Sequence, residues 1–145
     1  MFAIRQPRTD DLPALKALLD SSALPSSDLT EQHLEHFVIL AQANRVAGSV
    51  GLEVHGENAL LRSLAVETMM RGDGLGTRLL ELIEEHAREH GVQRLFLLTT
   101  SAESFFMHHG YERSERAAVP ESIRRTAQFD GICPSTAACL AKTLS

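Results

Sequence analysis

Tryptophan is absent from this 145-residue chain, tyrosine occurs once and cysteine twice. The first two shortages remove most stacking platforms for bases or sugars. Two cysteines, Cys133 and Cys139, are too few for a disulfide framework. No apolar run approaches the ~20 residues that a membrane-spanning helix needs. The start, Met1-Phe2-Ala3-Ile4-Arg5, lacks the basic-then-apolar layout of a secretion signal. A cytoplasmic location without a membrane partner is the expectation. Basic clusters are missing too, and the formal net charge is -5. Nucleic-acid binding leans on lysine and arginine against phosphates, so no nucleic-acid partner is expected.

What remains is an ordinary folded composition, 43% hydrophobic and 23% charged. The length suits one domain over residues 1–145. Phe2–Gln6 alternates as a half-buried strand would, and Pro7 ends it. Thr9 or Asp10 caps a helix that places Leu12, Leu15, Leu18 and Leu19 on one face. Ser21–Asp28 is a Ser/Pro-bearing loop able to border a ligand, and Leu29–His36 holds a short helix. Strands follow over Phe37–Ala41, Val46–His55 and Asn58–Val66, with turns at Asn44-Arg45 and Gly56-Glu57. Leu75, Leu79, Leu82, Ile83 and Ala87 recur at helical spacing until Gly91. Val92–Leu98 reads as a strand, Ala102–His109 as a short helix, and Tyr111–Arg116 and Thr136–Thr143 as closing strands. This order predicts an α/β fold, a mixed sheet with helices on its faces.

Arg71-Gly72-Asp73-Gly74-Leu75-Gly76-Thr77 joins an apolar strand to the long helix. Glycines there leave backbone N–H groups uncovered at a helix N-terminus, which suits a phosphate without requiring lysine. The spacing is neither the Rossmann nor the Walker pattern. It resembles the Gln/Arg-x-x-Gly-x-Gly/Ala signature of the GCN5-related N-acetyltransferases, which hold the pyrophosphate of acetyl-CoA there. A second segment, Thr99 to Tyr111, resembles that family's Asn-x-x-Ala-x-x-x-Tyr-x-x-x-Gly-Phe pattern. It departs from the pattern at Thr99 and at Phe106, where a tyrosine often protonates the departing thiolate.

The resemblance implies a mostly antiparallel twisted sheet with splayed middle strands, and acetyl-CoA as cosubstrate with no metal. It assigns Leu64, Ala65 and Val66 to the pantetheine arm, and Arg71, Gly72, Asp73, Gly74, Leu75, Gly76 and Thr77 to the pyrophosphate. Thr100, Ser104 and Phe105 flank the cofactor from the second segment. In several members the base is a glutamate on the preceding strand, a position filled here by Leu60. Ala59–Val66, Ile123–Phe129 and Cys133–Lys142 look like the small N-acetyltransferases of bacterial arsenic-resistance operons, themselves similar to amino-acid acetyltransferases. The implied reaction is acetyl transfer to the primary amine of a small acidic acceptor, an arsenic- or phosphinate-containing amino acid included. A protein or peptide acceptor and a catalytically silent CoA sensor are the alternatives. The implied assembly is a monomer or homodimer.

A two-residue turn at Gly56-Glu57 pairs Glu53 with Leu60 and Gly51 with Arg62. Opposed residues share a face, so Glu53 and Arg62 project together while Val50, Leu52, Val54 and Leu61 face a core. Such a charged pair under covering helices needs a purpose or a partner. Either Arg62 grips the acceptor's acidic group while Glu53 serves its amine as the catalytic residue, or the two form a structural ion pair. Ser63 is expected to face the core. Arg124, Thr126 and Gln128 lie in a connector that walls the acceptor site in this superfamily, which makes Arg124 and Gln128 candidate substrate contacts. His33 and His36 are three apart on a short helix, but no further ligands cluster near them in sequence, and no metal is expected.

Overall fold

The computed structural model describes residues 2–72 and 74–144. Among these residues seven strands form one sheet: β1 (Ala3–Arg5), β2 (Phe37–Gln42), β3 (Arg45–His55), β4 (Asn58–Val66), β5 (Arg94–Thr99), β6 (Glu112–Arg113) and β7 (Ala138–Thr143). Their order is β1-β2-β3-β4-β5-β7-β6, and among the described residues only β4 and β5 run parallel. Among the described residues four α-helices accompany them: α1 (Leu12–Ser21), α2 (Leu75–Glu89), α3 (Glu103–His108) and α4 (Glu121–Arg124). Among the described residues, no helix is long and apolar enough to cross a membrane.

Strand alternation sorts the core into two faces. On one, Leu79, Leu80, Ile83 and Ala87 of α2 pack on Val50, Leu52, Leu61, Leu95 and Leu97. On the other, Leu15, Leu18 and Leu19 of α1 pack on Phe37 and Ile39, while Ile123 of α4 meets Leu60 and Phe96. Each fully buried aliphatic side chain contributes about 1.5–3 kcal/mol. The helix periodicity of the leucines thus dictates which side of each helix turns to the sheet. Helix α2 stops as expected: Gly91 adopts φ +78° and the Val92 N–H reaches the Ala87 carbonyl at 2.9 Å.

Several boundaries differ from expectation. Thr9–Asp11 forms a 3₁₀ turn, and α1 starts after Asp11 rather than after Thr9 or Asp10. Asp11 is held back there, accepting from Arg8 N–H at 2.7 Å and from the Arg5 guanidinium at 2.8 Å. The short helix before β2 is a 3₁₀ turn over Glu31–His36. The β2–β3 turn is Ala43-Asn44, because Gln42 pairs with Arg45. The strand expected over Tyr111–Arg116 shrinks to Glu112–Arg113, since Ser114 N–H is the last to reach β7, at Cys139 O. The connector, whose helix content the sequence left open, forms α4 and a wide turn over Gln128–Ile132.

Candidate active site

Strands β4 and β5 pair only at Asn58–Arg94, Ala59–Leu95 and Leu60–Phe96. Past that point β4 follows β3 while β5 follows β7 as far as Thr99. The two strands therefore part in the middle of the sheet. The opening is a cleft of about 540 Å³, lined by Leu61–Val66, Leu97–Thr99, the turn before α2, and Phe105 and Phe106 of α3. The splay expected from the family resemblance is present.

A bulge shapes the β4 wall. Between the pairs Gly51–Arg62 and Ser49–Ala65, Ser63 and Leu64 oppose the single residue Val50. Ser63 adopts φ +62°. The extra residue breaks the alternation and turns Ser63 toward its neighbour, whose Nε donates to Ser63 Oγ at 3.0 Å. Ser63 is buried, but it belongs to the charged cluster and not to the aliphatic core as expected.

At one end of the cleft stands the glycine turn. Gly72 and Gly74 adopt φ +93° and +74°, and no atom lies within 4 Å of where a Cβ would stand on either. Gly74 caps α2, whose first N–H groups have no partner within the helix. Gly76 packs against the Phe105 ring, 3.7 Å from the site of a Cβ. Arg71 Nε donates to the Val66 carbonyl at 2.9 Å, tying the turn to the end of β4. Thr77 Oγ1 sits 3.3 Å from His109 Nε2. Leu64, Ala65, Val66, Arg71, Gly72, Gly74, Leu75, Gly76, Thr77 and Phe105 all line the cleft. Asp73 lies outside the described residues.

The other end is ionic. The Arg62 side chain is wholly buried. Its Nη1 donates to Asp28 Oδ2 at 2.5 Å and to Glu53 Oε2 at 2.8 Å. Its Nη2 donates to Asp28 Oδ1 at 2.8 Å and to the Pro25 carbonyl at 3.4 Å. With Nε on Ser63, all five N–H donors are engaged. Burial alone would raise the Asp28 carboxyl, but the hydrogen bonds and charge of Arg62 outweigh it and hold Asp28 below the ordinary range. Burial likewise opposes the Arg62 charge, and Asp28 and Glu53 more than restore it. One guanidinium against two carboxylates leaves a formal surplus of one negative charge.

Sequence reasoning paired Glu53 with Arg62 and placed the Ser21–Asp28 loop at a ligand's border, and it missed Asp28 itself. No periodicity links Asp28 to a residue 34 positions away. The cleft also takes in Ser22, Leu24, Leu98, Thr99, Ser101 and Ala102, which were not singled out as contacts. Conversely, Thr100 and Ser104 are exposed and off the cleft lining. Thr99 Oγ1 accepts the Ala102 N–H at 2.9 Å, and that local turn points Thr99 inward and its neighbour out. Arg124 is exposed on α4, and Gln128 is buried with its Oε1 3.8 Å from Cys133 Sγ. The charges of Arg62 and Asp28 act on the Cys133 thiol, which places this connector beside the ionic end. Cys133 and Cys139 are both free thiols that burial pushes up. Phe106 is buried at the cleft and carries no titratable proton.

Comparisons with known proteins agree with this geometry. The model of the Acetyltransferase (GNAT) family matches residues 5–114. An amino-acid acetyltransferase of Mycobacterium tuberculosis is 32% identical over 143 residues, covering 91% of this chain and 78% of that protein. An amino-acid acetyltransferase of Neisseria meningitidis serogroup A is 29% identical over 137 residues, covering 89% of this chain. This chain spans 31% of that longer protein, about a third of the length of the first curated relatives it matches. The crystal structure of N-acetylglutamate synthase from Neisseria gonorrhoeae, complexed with coenzyme A and N-acetyl-glutamate, superposes with a TM-score of 0.84. It is 27% identical, and the match covers all of this chain and 35% of that one. With a splayed β4–β5 pair, a bare glycine turn and a family match over most of its length, the chain belongs to the GNAT acetyltransferase family.

Proposed function

We propose that the chain transfers the acetyl group of acetyl-CoA to the primary amine of a small, acidic, amino-acid-like acceptor. One observation carries this reading: a single cleft runs from a bare helix N-terminus to Arg62, the residue that Asp28 and Glu53 flank. The pyrophosphate rests on the first amides of α2, with Arg71 and Gly72 at the turn. The pantetheine arm follows the free edge of Leu64, Ala65 and Val66 as an added strand, against Phe105. Thr100 and Ser104, both facing solvent, contact the cofactor only at its outer end.

The acceptor's amine sits at the ionic end, where the surplus negative charge of Asp28 and Glu53 attracts it. An amine near the α-amino value is partly neutral at pH 7–8, so a strong base is unnecessary. Its nitrogen attacks the thioester carbonyl, the C–S bond breaks as the C–N bond forms, and CoA leaves as a thiolate that solvent protonates. Glu53 takes the proton shed by the nitrogen, directly or through water. Strand amides stabilise the developing oxyanion. Arg62 meets an acceptor carboxylate only in exchange for Asp28, which occupies its bidentate face. Arg124 and Gln128 supply the remaining contacts to the acceptor's anionic group.

Likeness to a synthase crystallised with N-acetyl-glutamate supports an acidic amino acid as the acceptor. Only the sequence resemblance of Ala59–Val66, Ile123–Phe129 and Cys133–Lys142 to acetyltransferases of arsenic-resistance operons adds arsenic- and phosphinate-containing analogues to the candidates. The test is an amine panel followed by CoA release: acidic amino acids, their arsenic and phosphinate analogues, neutral and basic amino acids, and short peptides. Acidic small molecules are expected to give at least a tenfold higher kcat/KM than the neutral ones. Faster acetylation of peptides would move the assignment to a protein N-acetyltransferase. Tight acetyl-CoA binding without thiol release across the panel would instead favour a sensor, the reading that Phe106 motivates.

A further inference from the structure

Far from the cleft, three histidines converge that no spacing in the sequence brings together. His86 and His90 are four residues apart on the last turns of α2 and share a face. His36 ends the 3₁₀ turn that leads into β2. His36 Nδ1 lies 3.0 Å from His86 Nε2. The ring centroids stand 5.2 Å (His36–His86), 5.0 Å (His36–His90) and 4.2 Å (His86–His90) apart. One ring nitrogen from each falls within 4.8 Å of the other two. His86 lies twelve residues past Gly74, about 18 Å along the helix, so this cluster has no part in the site described above.

The geometry points to a divalent transition-metal site, of the zinc class, formed by one imidazole nitrogen each from His36, His86 and His90. Tetrahedral zinc with bonds of about 2.0–2.1 Å separates its nitrogens by about 3.4 Å, so small side-chain rotations close the triad. The His90 tautomer is already arranged. His90 Nδ1 donates to the His86 carbonyl at 2.9 Å, which leaves its Nε2 with a free lone pair. His36 keeps its Nε2 3.7 Å from Glu35 Oε1, on the outer side of the cluster, while its Nδ1 faces His86.

Metal binding requires neutral imidazoles. Burial holds His36 and His86 below the ordinary histidine value, against the opposing charge of Glu35 and, for His86, of Glu89. Nearby His90 lowers both further. An all-imidazole set with a carboxylate behind it suits Zn²⁺, Cu²⁺, Ni²⁺ or Co²⁺ rather than Mg²⁺ or Ca²⁺. His90 is exposed, so an ion has a path in and keeps its fourth position for water. Asp28, His33 and Glu53 make a second group of similar compactness, but Arg62 already occupies both of its carboxylates. An ion at the three histidines would pin the Glu31–His36 turn to the end of α2.

The test uses the full chain without a tag, stripped by chelator and titrated with zinc chloride by calorimetry. Cobalt(II) absorption then reports the geometry. One ion per chain is expected, with tetrahedral cobalt bands and a Tm rise of roughly 5 °C at a hundredfold excess over Kd. His90→Gln, at an exposed position that leaves the fold intact, should weaken binding at least tenfold, and His86→Gln likewise. Circular dichroism of the metal-free variants checks their folding. Replacing Cys133 and Cys139 by serine should change nothing. Absence of stoichiometric binding overturns the site, as does binding that survives joint replacement of His86 and His90. Loss of binding in the cysteine variant would move the ion elsewhere and overturn it too.

Discussion

Two buried clusters in this molecule use nearly the same ingredients for different ends. On the α1 and α4 face, one guanidinium is shared by two carboxylates, Asp28 and Glu53, and the group adjoins the cleft. On the α2 face, one carboxylate is shared by two donors. Tyr111 OH donates to Glu84 Oε2 at 2.7 Å, and Lys142 Nζ reaches Glu84 Oε1 at 3.0 Å. Lys142 also donates to the His109 carbonyl at 3.0 Å. That second group is formally neutral, joins α2 to β7 and the turn after α3, and contributes nothing to the cleft lining. Surplus charge beside a void separates a site from a rivet, although both groups are buried and fully hydrogen-bonded.

Arg62→Met should produce the largest effect. It leaves Asp28 and Glu53 facing each other without their counter-ion, and breaking a buried pair costs about 3–5 kcal/mol. Urea unfolding measures the loss, and turnover should fall at least a hundredfold with it. A change below about 1 kcal/mol would mean that the two carboxylates are solvated, and the contrast between the clusters would dissolve. Glu84→Gln is the matching break on the other side. It exchanges a charged hydrogen-bond acceptor for a neutral amide and should cost about 1–3 kcal/mol. Its kcat/KM should stay within about twofold of wild type, because nothing it touches lines the cleft. A tenfold loss of activity in a stable Glu84→Gln protein would place that cluster within the catalytic machinery.

A third comparison sets the cofactor end against the ionic end. Gly74→Val forces a β-branched residue to φ +74°, a region such residues avoid at a cost of about 1–3 kcal/mol. Reshaping this turn should raise the Kd for acetyl-CoA at least tenfold by calorimetry. Glu53→Gln should lower kcat only a few fold, since the acceptor amine is partly neutral without help. The reverse ranking would make Glu53 an obligatory base.

The legibility of these regions in the sequence follows from how each is built. A two-residue turn at Gly56-Glu57 and strict alternation set the register of Arg62 against Gly51 and of Glu53 against Leu60, and the structure has that register. The glycine turn was readable because positive φ at Gly72 and Gly74 asks for glycine. The bulge at Ser63 was not, since a serine occupies its left-handed position and gives no signal. Glu84 sits among the leucines of α2 at a spacing that looks like a helix flank, and only Lys142 and Tyr111, far along the chain, explain its burial. Asp28 and His36 fall in the same class. Their partners are 34 and 50 positions away, and contact at that range depends on packing rather than on any local pattern.

The smallest effect separates the clusters by pH. Asp28 has a folded pKa below its ordinary value, because Arg62 outweighs burial. Its stabilisation is therefore present above the unfolded pKa of about 4 and is lost as pH falls through the lower folded value. Tyr111 moves the other way: burial, then the charge and hydrogen bond of Glu84, raise its phenol. Its contribution is full below the ordinary tyrosine value of about 10 and drains away as pH rises beyond it. Asp28→Asn should thus flatten the acid limb of a Tm–pH profile below about pH 4 and leave the alkaline limb alone, while Tyr111→Phe should do the converse. Asp11 is also held down, first by its hydrogen bond to Arg5, so part of the acid limb survives in Asp28→Asn. If both substitutions altered the same limb, the two clusters would be electrostatically one network, coupled across the sheet, and the division of labour between them would fail.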